Sequence, residues 1–466
     1  MTRTRSATPV PVATEPVSTR PLMDVLDDPA AAHVYTHSIT SLAAETGVAR
    51  TLPGYARYDE RAVLLARPHD VVCVSAAVDS AYLAFLDGLG LGAARERLVV
   101  VGGDAAATLP ARLATDRTAL ARVATLVGPW RGVTLFPYVV STAEHALRAA
   151  LERTLGRPVA LLGGPADLAA CANQKHWIHA EAGALGVPLA PGEVLVPPPG
   201  GRLTAAALAA AAARHLDATG RVIVRATHST SGSGILVMER GAGPDAPAPA
   251  AAASEDLAGF AGRHGASPCL VQVMYEVLAS PNVQLVVTPD GEVACVGVTD
   301  QRLDGQLRYV GSAHPASART LAAMLASAAA LAHGLGGLGY RGLLGFDFIE
   351  YRDPRDGGLR HALAEVNARV NAATYACAIR ERLDVLAARA GRPRVRALRS
   401  AVVATRARSF GELARVLGPR LFDPATGRGV VPYNTGCLPE GECDLAVLGG
   451  SREEVESLHD AIRPTL

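Results

Sequence analysis

Gly345-Phe346-Asp347-Phe348-Ile349, Asp353-Pro354-Arg355-Asp356-Gly357-Gly358 and Ala364-Glu365-Val366-Asn367-Ala368-Arg369 follow one another along the chain, and their reading decides the fold. Pro354 and the Gly357-Gly358 pair make the middle piece a turn between two strands. Residue 356 lies midway between Asp347 and Glu365. A symmetric hairpin therefore sets the two carboxylates opposite each other, with side chains about 5 Å apart on one face. Strand alternation adds Asn367 to that face and extends it toward Arg369 and Asn371, while Phe346, Phe348 and Val366 give the opposite face its apolar character. Two like charges so close repel each other. Together with an amide oxygen they form an all-oxygen set suited to magnesium, which removes the repulsion and leaves positions open for phosphate oxygens. Arg369 then faces the outer phosphate as a planar donor.

Upstream, Val222-Ile223-Val224-Arg225-Ala226 reads as a strand, followed by the small polar loop Thr227-His228-Ser229-Thr230-Ser231-Gly232-Ser233-Gly234 and a second strand from Ile235. Such a loop can lay backbone N–H groups and hydroxyls over phosphates without side-chain obstruction. Further upstream stands Lys175, the only lysine among 45 basic residues. An ammonium is a compact point charge able to enter a narrow phosphate site, whereas a guanidinium demands a wider planar fit. The single lysine is thus a candidate phosphate contact.

The surrounding pattern supplies the architecture. From Leu22 to about Ala160 short apolar runs alternate with helical stretches, as in Val71–Val74, the segment through Leu91 and Leu98–Val101. That rhythm predicts parallel strands with crossover helices, a Rossmann-like layer. Arg221–Ala226, Cys269–Val273, Val283–Thr288, Glu292–Thr299, Leu343–Tyr351 and Leu359–Ala368 read as strands, and Thr204–Ala218 and Arg319–His333 as helices. The Ala, Pro and Gly run at 241–253 reads as a flexible surface insertion. Four regions result: a disordered tail at 1–21, a Rossmann-like domain at 22–160, a mixed α+β unit at 161–385, and a small C-terminal α/β cap at 386–466.

Composition narrows the function. A net charge of +1 offers no field for holding a polyanion, which argues against a nucleic-acid partner. Seven cysteines, with no Cys-x-x-Cys pair, argue against a disulfide framework or zinc ribbon and for a reducing, cytoplasmic compartment. The apolar run Leu321–Tyr340 is rich in Ala and Gly and reads as a buried helix rather than a membrane span. Gly334-Leu335-Gly336-Gly337-Leu338-Gly339 fits a dinucleotide fingerprint by letter, but its glycines follow a helix and precede a strand, the reverse of the working order. His176 and His179 lack a third ligand and read as solvated or packed.

Taken in order, Asn173-x-Lys175, Arg225 with its Ser/Gly loop, Val271-Gln272-Val273-Met274-Tyr275, Gly345-x-Asp347 and Glu365-x-Asn367-x-Arg369 resemble the ATP-grasp superfamily of carboxylate-amine ligases. The likeness spans roughly Leu161 to Arg382, with the general appearance of the actinobacterial peptide ligases of the pheganomycin type. The resemblance implies ATP held between two α+β subdomains and a cytoplasmic, ADP-forming ligase that joins a small carboxylic acid to an amino acid or peptide amine in antibiotic biosynthesis. Another ligase or a carboxylase on the same fold, or a non-catalytic nucleotide-binding regulator, are the alternatives. A homodimer is left open. It further implies that Lys175 meets the α-phosphate and that Arg225 takes the place of a second lysine. Ser231, Gly232, Ser233 and Gly234 would cover the phosphates, with Gln272, Val273 and Tyr275 in the adenine hinge and Asn282 near the ribose. Asp347, Glu365 and Asn367 would hold magnesium, with Arg369 and Lys175 as the catalytic cations.

Overall fold

The computed structural model describes residues 17–26, 28–40, 42, 54–104, 106–228, 234–240, 250–251 and 257–466. The first domain is a parallel five-stranded sheet in the order Leu98–Val100, Val71–Val74, Ala31–Thr36, Gly132–Pro137 and Ala160–Leu161. Its inner strands are apolar because helices cover both faces. The covering helix Thr142–Leu155 shows how sharply the sequence sets its ends. Ser141 and Glu144 form a capping box at its start, and Gly156 closes it at φ 65°.

A second, antiparallel sheet runs Gly192–Leu195, Cys269–Val273, Arg221–Ala226, Ile235–Glu239 and Ala250–Ala251. Helices Ala205–His215 and Leu257–His264 bury Leu208, Ala212, Phe260 and Ala261 against it. The third sheet is the largest. Its path is Val277–Ala279, Gly342–Arg352, Pro281–Val287, Val293–Leu303, Tyr309–His314, Ala397–Ala404, Glu442–Gly449 and Gly429–Tyr433, with Leu359–Asn367 also paired to Gly342–Arg352. The helix Leu321–Gly337 packs Met324, Ala328, Leu331 and Leu335 on this sheet, in line with the buried reading of that apolar run. It runs through Gly334, Gly336 and Gly337 and is followed by the strand from Gly342, so these glycines do not open a helix. Among the described residues no helix is long and apolar enough to cross a membrane.

Two regions differ from the sequence reading. The segment taken as a separate C-terminal cap is a continuation of the third sheet, since Ala313 and His314 pair with Arg399 and Leu398. Short apolar strands do not announce which sheet edge they will join. The stretch read as disordered up to residue 21 is docked from Val17 onward: Cys295 donates to the Ser18 carbonyl at 2.8 Å, and Arg20 donates to the Cys295 carbonyl at 2.9 Å. Backbone pairing, invisible in composition, holds it there. Residues 1–16 lie outside the described residues, as does the run at 241–253 apart from Ala250–Ala251.

The first domain and the third-sheet unit are bound together by polar groups that reach between them. Arg382 donates to the Leu64 and Ala66 carbonyls at 2.7 and 2.9 Å, His37 bonds the Tyr375 hydroxyl at 2.8 Å, and Arg61 pairs with Asp444 at 3.1 Å. All of these groups except Arg382 are buried to more than nine-tenths, where a charge or polar atom is tolerated only with a partner.

Candidate functional site

The acidic pair is opposed as the sequence reading expects, but through a one-residue shift of register rather than a regular hairpin. Asp347 is directly opposite Glu365, Phe346 opposite Val366, and Gly345 opposite Asn367. The register then slips, because Phe348 pairs with Leu363 and leaves Ala364 as an extra residue. A bulge of this kind turns a backbone group out of the ladder. The freed Ala364 carbonyl accepts a hydrogen bond from Arg225 Nη1 at 2.7 Å, which links the second sheet to the third.

Each acid has its own support. Asn282 Nδ2 donates to Asp347 Oδ1 at 2.6 Å, and Asn367 Nδ2 donates to Oδ2 at 3.0 Å. Burial and then the neighbouring Glu365 charge raise the Asp347 carboxyl above its usual range, against the lowering effect of the Asn282 hydrogen bond. Glu365 Oε2 lies 3.1 Å from Lys175 Nζ. Lys175 is only 4% exposed, and burial lowers its ammonium, opposed by Glu365 and reinforced by Arg225. Burial likewise lowers Arg225, opposed by Glu365 and Asp347.

The local sequence explains this placement. Lys175 is the first residue of helix Lys175–Ala184, so its side chain leaves the helix at the end facing the hairpin. Two residues earlier, Asn173 Oδ1 accepts from the Ala368 N–H at 3.1 Å and fixes that helix end against the strand carrying Glu365 and Asn367. Gly345 faces the amide of Asn371 so closely that a Cβ would collide with it, and it would crowd the amide of Asn282. Asn371 caps helix Ala372–Arg389 through a hydrogen bond from Thr374 N at 3.2 Å.

A cavity of about 340 Å³ lies between the second and third sheets. Arg225, Gln272, Val273 and Tyr275 line it from one side, and Asn282, Asp347, Glu365, Asn367 and Arg369 from the other. Lys175 is absent from the lining and stands behind Glu365. Gly234 closes the base of its loop at φ 65°, where its carbonyl accepts from Ala226 N at 2.9 Å. Ser231, Gly232 and Ser233 lie outside the described residues.

Gln272 lines the cavity and also acts through its side chain. Its side chain is buried, accepts from Arg225 Nη2 and donates to the Ala190 carbonyl at 3.1 Å. Arg302 and Arg308 are absent from the lining, and Arg308 pairs with Asp304 at 2.7 Å. His314 and Thr374 bond Val298 O and Gln284 Oε1. Tyr433, Asn434, Thr435 and Gly436 are absent from the lining too. Thr435 Oγ1 and Gly436 N donate to the buried Glu60. His176 bonds Thr227 and His179 bonds Gln272, so the two histidines serve separate partners.

Several lining residues gave no signal in the sequence. Ile223, Ile235, Ile349 and Leu363 form apolar walls, and Tyr138 enters from the first domain. Tyr275 stacks on Tyr351 with ring centroids 3.8 Å apart. Only strand alternation about a known site would have found the isoleucines.

Two facing carboxylates suit a hard divalent cation, which would remove their repulsion; the Asn367 amide turns Nδ2 to Asp347 and Oδ1 to Arg369, so its oxygen joins the donor set only when the amide turns over. Among the described residues there is no group of three or more His, Cys, Asp and Glu side chains that could form a different metal centre.

This architecture, a parallel Rossmann-like sheet followed by two antiparallel sheets that enclose a cavity, is the ATP-grasp fold. Residues 59–153 match the Pre ATP-grasp domain family. Biotin carboxylase from Campylobacter jejuni superposes with a TM-score of 0.54 at 14% identity, over 93% of this chain and 90% of that one. N5-carboxyaminoimidazole ribonucleotide synthetase from Thermus thermophilus gives 0.49 at 15% identity, over 94% and 98%. No curated protein matches the sequence.

Proposed function

We propose that the protein is an ATP-dependent ligase that joins a carboxylic acid to an amine through an acyl phosphate, releasing ADP and phosphate. The observation that carries this reading is the Asp347–Glu365 pair facing a cavity between two sheets, with Lys175, Arg225 and Arg369 around it.

A carboxylate is a poor electrophile because it repels nucleophiles and would have to expel oxide. Transfer of the γ-phosphoryl group breaks its bond to ADP and forms one to a carboxylate oxygen. The amine then attacks the acyl carbon, the C–N bond replaces the C–O bond, phosphate leaves, and the amine sheds a proton. The chain's own groups position and neutralise these species. Asp347, Glu365 and the Asn367 amide would hold magnesium, which when bound supplies positive charge beside the phosphates. Arg225, fixed by Gln272 and Ala364, presents its remaining edge toward the nucleotide. Lys175 leaves Glu365 for the phosphates or holds that acid in place for the metal. Arg369, bonded to Asn367 Oδ1, steadies the transferred phosphoryl group. Ile223, Ile235, Ile349 and Leu363 would sandwich the adenine, with Val273 and Tyr275 at its edge and Asn282 toward the ribose. Ser231, Gly232, Ser233 and Gly234 would cover the phosphates.

The amine is an amino acid or peptide, and the product a peptide natural product, in keeping with the peptide-ligase resemblance of the motifs. Release of ADP and phosphate that depends on both an acid and an amine, with the amide detected by mass, tests the proposal. AMP and pyrophosphate as products would overturn it.

A further inference from the structure

Beyond the groups used for nucleotide chemistry, the cavity is also lined by Leu303, Leu307 and Tyr309 of the hairpin formed by Val293–Leu303 and Tyr309–His314, together with Tyr138. None of these four side chains is charged. Tyr309 has its hydroxyl engaged by Ser312 Oγ at 2.9 Å, which leaves the ring as its apolar contribution to the lining. Leu303 is 41% exposed at this end, an apolar surface left facing water unless something covers it.

The turn holds a sharper clue. Leu307 N donates to the Asp304 carbonyl at 3.0 Å, and Leu307 then adopts φ 59° before the strand resumes. A turn followed by one left-handed residue is a common hairpin closure, and that position favours glycine or asparagine because a Cβ is crowded there. Here it carries a leucine. Asp304 holds the geometry, since its Oδ1 accepts from the N–H groups of Gln306 and Arg308 at 2.9 Å each. A branched apolar side chain is therefore held over the cavity at a position where the backbone disfavours it.

We propose that Leu303, Leu307, Tyr309 and Tyr138 form a specificity subsite for an apolar substituent, branched aliphatic or aromatic, carried by one of the ligated substrates. This rests on the ligase reading and sharpens it: the cations Arg225 and Arg369 serve the phosphate end, and among the described residues no charged group lines this one. Thr299, across from Asn282, precedes Leu303 by four residues of the same strand, a span of about 13 Å at the usual rise. The substrate must therefore be extended, with its reacting group near the acids and its apolar group well removed.

Binding of leucine, phenylalanine, alanine, glutamate and lysine would be measured by calorimetry with a non-hydrolysable ATP analogue and magnesium present. Each is offered as the N-acetyl acid and as the amino-acid amide, so that the arms tell whether the acid or the amine carries the apolar group. Phosphate release with the free amino acids is recorded in parallel. The expected result is at least a tenfold preference for leucine or phenylalanine over glutamate and lysine in one arm. Leu307→Gly, which suits the φ of 59°, and Leu303→Gln, at a half-exposed position, should each reduce that preference about fivefold or more while leaving the fold intact by circular dichroism. Preferential binding without turnover would uphold the subsite and sink the ligase reading. Equal or better binding of the charged compounds, no binding in either arm, or a preference untouched by both substitutions would overturn the subsite.

Discussion

Arg225 donates through Nη1 to the carbonyl of Ala364, the residue that bulges out of the strand pair carrying Asp347 and Glu365. One guanidinium thus ties the sheet beneath one side of the cavity to the acids on the other. Its second nitrogen is held by Gln272. Both bonds need the planar fork, which lysine lacks. Arg225→Lys should raise KM for ATP about tenfold with a smaller change in kcat, the order expected for a lost charge-assisted bond. Steady-state kinetics over an ATP series checks this, and an unchanged KM would show that the two bonds are incidental.

Much of this site was legible in the sequence because it depends on local rules. The Pro and Gly-Gly turn brings the two strands together and alternation puts Asn367 on the face of Glu365, but the ladder from Arg352–Leu359 to Phe348–Leu363 would set Asp347 opposite Ala364, and the extra residue brings Glu365 there instead. The bulge at Ala364 was not legible, since nothing in Leu363-Ala364-Glu365 distinguishes one extra residue from regular strand. The Lys175–Glu365 pair also escaped, because it joins a helix start to a strand 190 residues away along the chain. The side-chain part played by Gln272 was not legible either. Its buried side-chain role follows from the cross-sheet position of Arg225, which only the tertiary arrangement supplies.

Lys175→Arg tests whether the lone lysine is required by shape. The ammonium is buried 3.1 Å from Glu365, and a guanidinium is both longer and flatter. Phosphate release should fall about a hundredfold, the size of loss seen when a positioned electrostatic contact to the reacting groups is removed. Far-ultraviolet circular dichroism should stay unchanged. Retention of wild-type turnover would place Lys175 outside the chemistry.

Stability should carry a pH signature at Glu381. Its carboxyl is pushed up to about 7 by burial, against the lowering effect of Arg380. A carboxyl raised in the folded state stabilises the fold below its unfolded pKa, and that contribution is lost as pH climbs through 7. Glu381→Gln removes the cost of ionising a buried group. The variant should match wild type at pH 4.5 and exceed it at pH 8 by about 2–3 kcal/mol. Thermal melts at the two pH values measure the difference, and an equal offset at both would exclude ionisation as its source.

Gly345→Ala should disturb the site from within the strand. The added methyl meets the amides of Asn371 and Asn282, the latter a support of Asp347. Magnesium dependence of turnover should shift to higher concentration by about tenfold, as when a group that orients a metal ligand is altered. A magnesium titration of activity gives the answer, and an unmoved midpoint would mean that Asn282 does not orient Asp347 for the metal.

The most direct test of the shared metal and triphosphate pocket is calorimetric titration of a non-hydrolysable ATP analogue, with and without magnesium, into wild type and Asp347→Asn. The predicted result is tight binding by wild type that weakens at least tenfold when magnesium is withheld, and a large loss of that dependence in the variant. Equal affinity with and without magnesium in wild type, or no binding of the analogue in either condition, would contradict the account.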